Sequence, residues 1–327
     1  MITLNTDKLE ALKEGLTNSI YNITPNDTFI LSKSKREKTN TPFFRWQIDN
    51  SDAVGFDSDA NVINAKSYEG KDVGDRYGDL YTWKTQLGTG QTQSFRKSFS
   101  ISSSVLNSKT FGRESEIEYQ VSKGIKEIKN LMESVFCSRQ EQDSTGMYQL
   151  TDGLFIQIAD LDVDNFFLPS PDTKGDTAVH KKGKISFDKL DGIAKALYMS
   201  GSSANVILVN HYNSVAMNTA INEAVKANVT QLEIFDETAI EDGVKRHKQV
   251  KTFTDSLGRI WEIKYSRFVP RDLVYFLNPD DLTIRVLREP TITQLGKNGD
   301  FETWQIITEC GLQLNNLFAA GVLEVTT

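Results

Sequence analysis

The feature that most constrains this chain is a long apolar stripe within residues 114–136. Apolar side chains recur there every three or four residues, the spacing that puts them on one side of an α-helix: Ile117, Val121, Ile125, Ile128, Met132, Val135 and Phe136. Most other positions are charged or polar, and acidic residues crowd the first turn, where negative charge is favourable. Ser115 and Glu118 match a capping box. The pattern predicts one helix of about 35 Å, across which a sheet can pack.

Gly124 lies in the middle of this predicted helix. A glycine there costs about 1 kcal/mol relative to alanine. We therefore expect a close contact at Gly124 that leaves no room for a side chain.

Length and composition exclude several classes of protein. A chain of 327 residues has room for two or more cores, and a net charge of −7 argues against a dedicated nucleic-acid binder. Only Cys137 and Cys310 are present, which excludes a disulfide scaffold and fits a reducing compartment. The sequence shows neither a secretory leader nor an apolar run of about 18 residues. We expect a soluble α+β protein, made in the cytoplasm, with no membrane span.

A long polar segment separates two predicted strands. Alternating apolar residues predict strands at 43–49 and 94–105. Residues 50–92 carry seven acidic and four basic residues, a net charge of −3. They also carry large apolar side chains that include Phe56, Val62, Ile63, Tyr68, Tyr77, Leu80, Tyr81 and Trp83. Such a segment is too rich in large side chains for a linker and too sparse for a core of its own. We predict a long hairpin of 43–49 with 94–105, whose tip, residues 50–92, becomes ordered on a neighbouring copy.

The second half of the chain alternates between helical and strand patterns. Leu154, Ile156 and Ile158 predict a short strand, and a helix is predicted from Ser186 to Gly201. A buried strand at 206–209 and a helix at about 212–226 complete a small α–β–α unit. Hairpin turns are predicted at 255–258 and 298–300. Further strands are predicted at 252–254, 260–265, 273–277, 282–287, 304–308 and 321–325.

Two acidic clusters have part of the spacing of a calcium loop. In each case the required glycine and the closing glutamate are missing: Asp160, Asp162 and Asp164; Asp57, Asp59 and Asn61. We therefore expect no metal site.

Candidates for catalysis are few. His180, His211 and His247 are the only histidines, and none lies in a known ligand pairing. Gly88-Thr-Gly90 lacks the third glycine of a dinucleotide-binding loop, and the basic cluster at 245–251 is typical of a solvated surface. We expect no catalytic residue, no cofactor-binding residue and no cofactor. His211, between a strand and a helix, leaves open the alternative of an α/β-hydrolase-like enzyme that uses a nearby carboxylate.

The order of several landmarks along the chain is specific. They are Asn22-Ile-Thr-Pro-Asn-Asp-Thr-Phe29, Phe43-Phe-Arg-Trp-Gln-Ile-Asp49, Gln93-Ser-Phe-Arg-Lys-Ser-Phe-Ser-Ile-Ser102, Phe111-Gly-Arg-Glu-Ser-Glu116, Thr254-Asp-Ser-Leu-Gly-Arg-Ile260, Leu295-Gly-Lys-Asn-Gly-Asp300, Leu312-Gln-Leu-Asn-Asn316 and Ala319-Ala-Gly-Val322. In this order and spacing, from about residue 17 to 324, the chain resembles major capsid proteins of tailed bacteriophages, in particular the subfamily named after phage SU10.

The resemblance implies an α+β fold of the Hong Kong 97 type. Residues 1–42 would be an N-terminal arm and 43–107 the extended loop. The peripheral domain would take 108–185, including the spine helix 114–136, and return strands at 279–327. The axial domain would take 186–278, around the centre of a hexamer or pentamer.

The resemblance also implies a structural, non-enzymatic function: self-assembly into an icosahedral or prolate head that encloses double-stranded DNA. Implied partners are other copies, portal, scaffolding or decoration proteins, and packaged DNA through weak non-specific contact. The protein would be located in the virion capsid after assembly in the host cytoplasm. A phage tail or decoration protein is a second alternative, against which the spine helix and long arm argue.

Eight residues are predicted to contact a neighbouring subunit. They are basic residues at 33–38 and aromatic residues of the acidic tip: Lys33, Lys35, Arg36, Lys38, Tyr68, Tyr77, Tyr81 and Trp83. We expect the basic segment and the acidic tip to attract each other between copies.

Overall fold

The computed structural model describes residues 2–4, 28–48, 86–108, 115–143, 149–159, 179–228, 251–297, 299–316 and 319–326. The chain divides into two compact units, each assembled from separated stretches. The first unit comprises 1–44, 90–156 and 282–314, and the second 45–89, 157–281 and 315–327.

The described helices are α1 (Phe29–Lys33), α2 (Ser103–Asn107), α3 (Glu116–Phe136), α4 (Leu154–Ala159), α5 (Phe187–Met199) and α6 (Ser214–Asn228). The described strands are β1 (Ile2–Leu4), β2 (Lys35–Lys38), β3 (Phe43–Ile48), β4 (Gln86–Gln91), β5 (Gln93–Ser102), β6 (His180–Lys182), β7 (Val206–Asn210), β8 (Thr252–Thr254), β9 (Ile260–Ser266), β10 (Leu273–Leu277), β11 (Leu282–Leu295), β12 (Phe301–Leu314) and β13 (Gly321–Glu324).

The first unit is a five-stranded sheet in the order β1-β5-β12-β11-β2. The two long strands β11 and β12 form an antiparallel hairpin, and β12 also pairs antiparallel with β5. The outer strands β1 and β2 are both parallel to their neighbours. Phe95 on β5 and Phe136 on α3 meet edge to face, with ring centroids 6.3 Å apart, so α3 closes the core over the sheet.

Helix α3 confirms the predicted spine helix. The Ser115 hydroxyl accepts the Glu118 backbone N–H at 3.4 Å, as expected for an N-cap. A Cβ at Gly124 would lie 2.7 Å from Cδ1 of Ile306 on β12. The predicted close contact is therefore confirmed.

The second unit is a six-stranded sheet in the order β6-β13-β10-β7-β9-β8. The central strand β7 is buried at every position, as the run of aliphatic residues predicts. Helices α5 and α6 flank β7 in the chain, which confirms the predicted α–β–α order. Gly201 (φ +74°) ends α5, and Gly258 (φ +82°) closes the predicted hairpin turn between β8 and β9.

A buried carboxylate fixes that hairpin. Asp255 accepts the backbone N–H groups of Leu257 and Arg259 at 3.0 and 2.8 Å. It also accepts the Arg259 Nε–H at 2.9 Å and the indole N–H of Trp261 at 3.2 Å. Four donors therefore converge on one side chain that is fully buried.

One predicted strand and one predicted strand pairing are wrong. Residues 154–159 form a helix, because Leu154, Phe155 and Ile158 are all buried and their spacing suits a helical turn better than a strand. The predicted hairpin partner is also wrong, since β3 pairs with β4 and not with 94–105, which forms β5 beside β12.

Gly88 and Gly90 explain the pairing of β3 with β4. A Cβ at Gly88 would lie 2.3 Å from the Trp46 ring, and one at Gly90 would lie 2.5 Å from the Phe44 ring. The two glycines therefore provide space for aromatic rings on the facing strand.

The predicted domain boundaries remain predictions, with one correction from strand pairing. Strand β13, expected among the return strands at 279–327, pairs with β10 and β6 in the sheet of the second unit. Of residues 1–27, the structure describes only Ile2–Leu4, which form β1.

Candidate assembly surfaces

An open groove runs along α3 in the first unit. Its apolar lining comes from Ile117, Val121 and Ile125 on α3 and from Ile292 on β11. Glu118, Ser122, Lys126 and Lys129 add a polar lining, and the groove has a volume of about 500 Å³. Gly124, Ile128 and Phe136 are buried against the unit, whereas the three α3 residues of the groove are only half-buried. The apolar stripe of α3 is thus wider than the surface that its own unit covers.

The outer half of β11 adds an exposed sheet edge. Strand β2 pairs only with residues 283–286, and every residue from 288 to 295 is exposed. Ile292 is 48% exposed and Leu295 is 39% exposed. An unpaired edge that exposes two aliphatic side chains is a site for strand or side-chain contact with another chain.

The four basic residues predicted for subunit contact lie together at the end of α1 and on β2. All four are exposed: Lys33, Lys35, Arg36 and Lys38. Lys38 Nζ lies 2.8 Å from Glu289 on β11, and this carboxylate raises the pKa of Lys38 through a side-chain hydrogen bond. A guanidinium N–H of Arg36 donates to the Leu31 carbonyl at 3.1 Å.

The basic segment adjoins the α3 groove. Arg36 lines a second, smaller cavity of about 90 Å³, which shares Ile125 and Lys129 with the groove. Positive side chains from two elements therefore lie at one end of an apolar channel. This arrangement favours a partner segment that is both apolar and acidic.

Glu133 is one of the charged residues between the apolar positions of α3, yet its side chain does not face the solvent. Its side chain is fully buried and accepts the backbone N–H groups of Ile30 at 2.7 Å and Leu31 at 3.0 Å. These donors belong to the first turn of α1, so Glu133 caps that helix from a position about 100 residues away. No sequence pattern near Glu133 predicts this contact, because its partners Ile30 and Leu31 are distant in the sequence.

Other predicted sites are not tested by the described residues. Tyr68, Tyr77, Tyr81 and Trp83, together with the acidic clusters weighed for calcium, lie outside the described residues. Within the described ranges, no group of three or more His, Cys, Asp or Glu residues is placed to hold a metal. Among those same residues, no helix has the length and hydropathy to cross a bilayer.

His211 does not form the catalytic pair considered from the sequence. Its ring lies against that of Tyr212, tilted by 40° with centroids 4.2 Å apart, on the exposed turn after β7. In the described part of the chain no carboxylate contacts it. The predicted enzyme alternative therefore has no geometric support at this position.

Two sequence comparisons show which known proteins this chain is similar to. A sequence model of the SU10 major capsid protein family matches residues 2–327. The major capsid protein of Escherichia phage Phieco32 is 27% identical over 347 aligned residues, covering 95% of this chain and 93% of the relative.

Solved structures add evidence on the fold. The capsid of a native GTA particle superposes with a TM-score of 0.58 at 9% identity, over 98% of each chain. A chain from Mycobacterium phage Bobi superposes with a TM-score of 0.57 at 9% identity, over 99% of each chain. At such low identity these likenesses establish the fold alone.

Proposed function

This chain belongs to the SU10 major capsid protein family, and we propose that its α3 groove receives the extended loop of a neighbouring copy during shell assembly. The family membership makes the chain a capsid shell subunit of a tailed bacteriophage, structural and not enzymatic. The predicted α+β fold of the Hong Kong 97 type is confirmed.

The observation that carries the proposal is the composition of the groove. Half-buried aliphatic side chains line it, and Lys126 and Lys129 supply positive charge. Residues 50–85, the part of the predicted tip that precedes β4, offer the matching chemistry, with a net charge of −3 and aromatic residues such as Tyr77 and Trp83. A tip that buries its aromatics on the next copy avoids the cost of leaving them in water.

The exposed basic residues at 33–38 provide the second contact. We expect them to attract the acidic tip of the neighbouring copy, so that assembly depends on ionic strength. Many weak contacts in a closed shell act together, so each need not be strong.

The finer organisation follows from the same proposal. Copies assemble as hexamers and pentamers in the host cytoplasm, with the axial domain of residues 186–278 around each centre. Portal, scaffolding or decoration proteins complete the head, and packaged DNA makes weak non-specific contact, since the chain carries a net charge of −7.

A pair of aspartate substitutions tests the groove. Ile292→Asp places a negative charge in the groove, whereas Leu131→Asp changes a residue of α3 that does not line it. The two side chains are 48% and 50% exposed, so neither substitution should prevent folding. Electron microscopy and sedimentation of the purified proteins should show shells for wild type and Leu131→Asp, and mostly unassembled subunits for Ile292→Asp.

Two results would contradict the proposal. Shells of Ile292→Asp at wild-type yield would show that the groove does not receive the acidic tip. Assembly that does not change with salt would remove the role assigned to the basic segment.

A further inference from the structure

The outer half of β11 is regular but lacks a partner on one side. Strand β2 covers only residues 283–286 of this edge. Two register shifts then bend β11 where β2 ends. Residues 291–295, which we call the open edge, are again paired one by one with β12, and every one of them is exposed. Among the described strands, none pairs with the open edge on the side away from β12.

The backbone of the open edge is oriented for pairing with another strand. The Val286 carbonyl accepts the Thr39 backbone N–H at 2.9 Å, so the backbone groups of Val286 point away from β12. Cys310 is paired with Val286 and must therefore direct its own backbone groups to β5. Orientation alternates along a regular strand, and the pairing of β12 with β5 is uninterrupted, so Ile306 is oriented like Cys310. Ile292 is paired with Ile306, and its N–H and C=O groups therefore point to the unpaired side.

The same alternation applies to the rest of the open edge. Gln294, two residues after Ile292, also offers a donor and an acceptor on the unpaired side, whereas Thr293 bonds to β12. Two copies of the open edge can therefore pair antiparallel about Thr293. Ile292 of each copy then exchanges both of its bonds with Gln294 of the other copy, which gives four backbone hydrogen bonds.

The side chains of the open edge suit such pairing. Natural edge strands are usually protected by charged residues or by proline. The open edge reads Thr-Ile-Thr-Gln-Leu, in which no residue is charged and most are β-branched. Pro290 offers no N–H and so limits the pairing on that side. Antiparallel pairing about Thr293 places Thr291 of one copy opposite Leu295 of the other, so that the exposed leucine gains an apolar contact.

The charges at the two ends of the open edge are complementary in this register. Glu289 and Lys297 lie four residues on either side of Thr293, so the pairing brings each near the other across the two copies. Within its own subunit, Glu289 pairs with Lys38 at 2.8 Å, and Lys297 pairs with Glu302 at 3.0 Å. Positive and negative side chains therefore alternate along the contact, which stabilises this register.

We propose that the open edge of one copy pairs antiparallel with the open edge of a second copy, about a two-fold axis at Thr293, so that two five-stranded sheets become continuous. The contact is isologous, because the same residues serve on both sides. The open edge alone buries far less than the roughly 800 Å² per partner of a stable complex, so it acts in the shell together with other contacts. It requires self-assembly, which membership of the family establishes, but it does not require the α3 groove to be filled.

A disulfide test locates the two-fold axis. Thr293→Cys places one thiol opposite its own counterpart, at a spacing that a disulfide can bridge. Thr291→Cys is the matched control, because this residue is exposed on the same face of the same strand, whereas its counterpart would lie about 14 Å away. Shells of each variant are treated with oxidised glutathione and analysed on a non-reducing denaturing gel. The native Cys137 and Cys310 are buried and should not react.

The size of the covalent product distinguishes the outcomes. We expect dimers, and no larger species, from Thr293→Cys, because one cysteine per copy can bond only to its counterpart. We expect monomers from Thr291→Cys. Absence of dimers from Thr293→Cys, or equal yields from the two variants, would overturn the inference.

A proline substitution tests the backbone pairing itself. The Gln294 N–H points away from β12, so Gln294→Pro removes an outward donor without breaking a bond within its own sheet. Gln294→Ala is the control, since it loses the same side-chain contact with Glu302 and keeps the N–H. Gln294→Pro should raise the protein concentration needed for assembly about tenfold relative to Gln294→Ala, while circular dichroism of the two unassembled subunits stays the same. Equal assembly of the two variants would contradict the pairing.

These tests are separate from the test of the α3 groove. Gln294 and Thr293 do not line the groove. Dimers from Thr293→Cys are expected even if Ile292→Asp assembles normally, and their absence would contradict the edge pairing without affecting the groove.

Discussion

The buried carboxylate of Glu133 supports a prediction that follows directly from geometry. It is the contact through which α3 holds α1, since it accepts the N–H groups of Ile30 and Leu31 at 2.7 and 3.0 Å. Ile30 and Leu31 are themselves buried. Replacing Glu133 by alanine would leave two buried donors without their acceptor.

The magnitude can be worked from these two bonds. Hydrogen bonds to charged groups contribute about 1.5–3 kcal/mol each, and an unsatisfied buried donor costs about 1–3 kcal/mol. Glu133→Ala should therefore lower the free energy of unfolding by about 3–5 kcal/mol. Glu133→Gln keeps the shape and one acceptor oxygen, so its cost should be about 2 kcal/mol.

Urea titration of the unassembled subunit measures both losses, and Glu127→Gln provides a matched control. Glu127 lies on the same helix and pairs with Lys97 at 2.6 Å, but its side chain is 29% exposed. Its replacement should cost less than about 1 kcal/mol. Amide hydrogen exchange should also accelerate at Ile30 and Leu31 in the Glu133→Gln variant but not in the Glu127→Gln variant. Equal stability of the Glu133→Gln and Glu127→Gln variants would refute the capping role.

Three further predictions concern stability and thiol reactivity. Asp255→Ala should lower the unfolding free energy of the second unit by about 3 kcal/mol in urea titration, because four donors lose one acceptor, whereas Ser256→Ala should cost less than about 1 kcal/mol; equal losses would contradict the network. Gly124→Val should cost about 1–3 kcal/mol by overpacking against Ile306, and Ile306→Val should recover part of that loss; a neutral Gly124→Val would exclude the close contact. Burial raises the pKa of Cys310 to about 12, from an ordinary value of 9.0. The folded thiol therefore stays protonated where the unfolded one ionises, so its contribution to stability is complete below pH 9 and is lost as the pH rises towards 12; a thiol-specific reagent at pH 8 should label Cys310 only after unfolding, and rapid labelling of the native protein would contradict its burial.

The parts of the fold that sequence analysis predicted are those set by local periodicity. The stripe from Ile117 to Phe136 and the run at 206–209 each specify one element without reference to distant residues. The turn at Gly258 is likewise specified by its own residues.

The parts that sequence analysis missed depend on contacts between distant residues. Leu154, Ile156 and Ile158 alternate like a strand, and only the burial of Phe155 reveals a helix. Glu133 resembles a solvated residue until α1 is placed beside it. The pairing of β3 with β4 depends on Trp46 and Phe44 meeting glycines about 45 residues away.

The same limit applies to the candidate assembly surfaces. Sequence analysis identified the basic segment at 33–38 from composition alone. It did not identify the α3 groove, because Ile292 joins Ile117, Val121 and Ile125 only through the fold of the first unit.

The position of β13 has a consequence for synthesis. This strand inserts between β6 and β10, although residues 282–314 of the other unit are translated before it. The ribosome must therefore have translated Glu324 before β6 can join this sheet through β13. A polypeptide that terminates earlier would leave the backbone edges of β6 and β10 that pair with β13 exposed to water. Proteases can thus recognise these unpaired edges and degrade incomplete copies before they are incorporated into a shell.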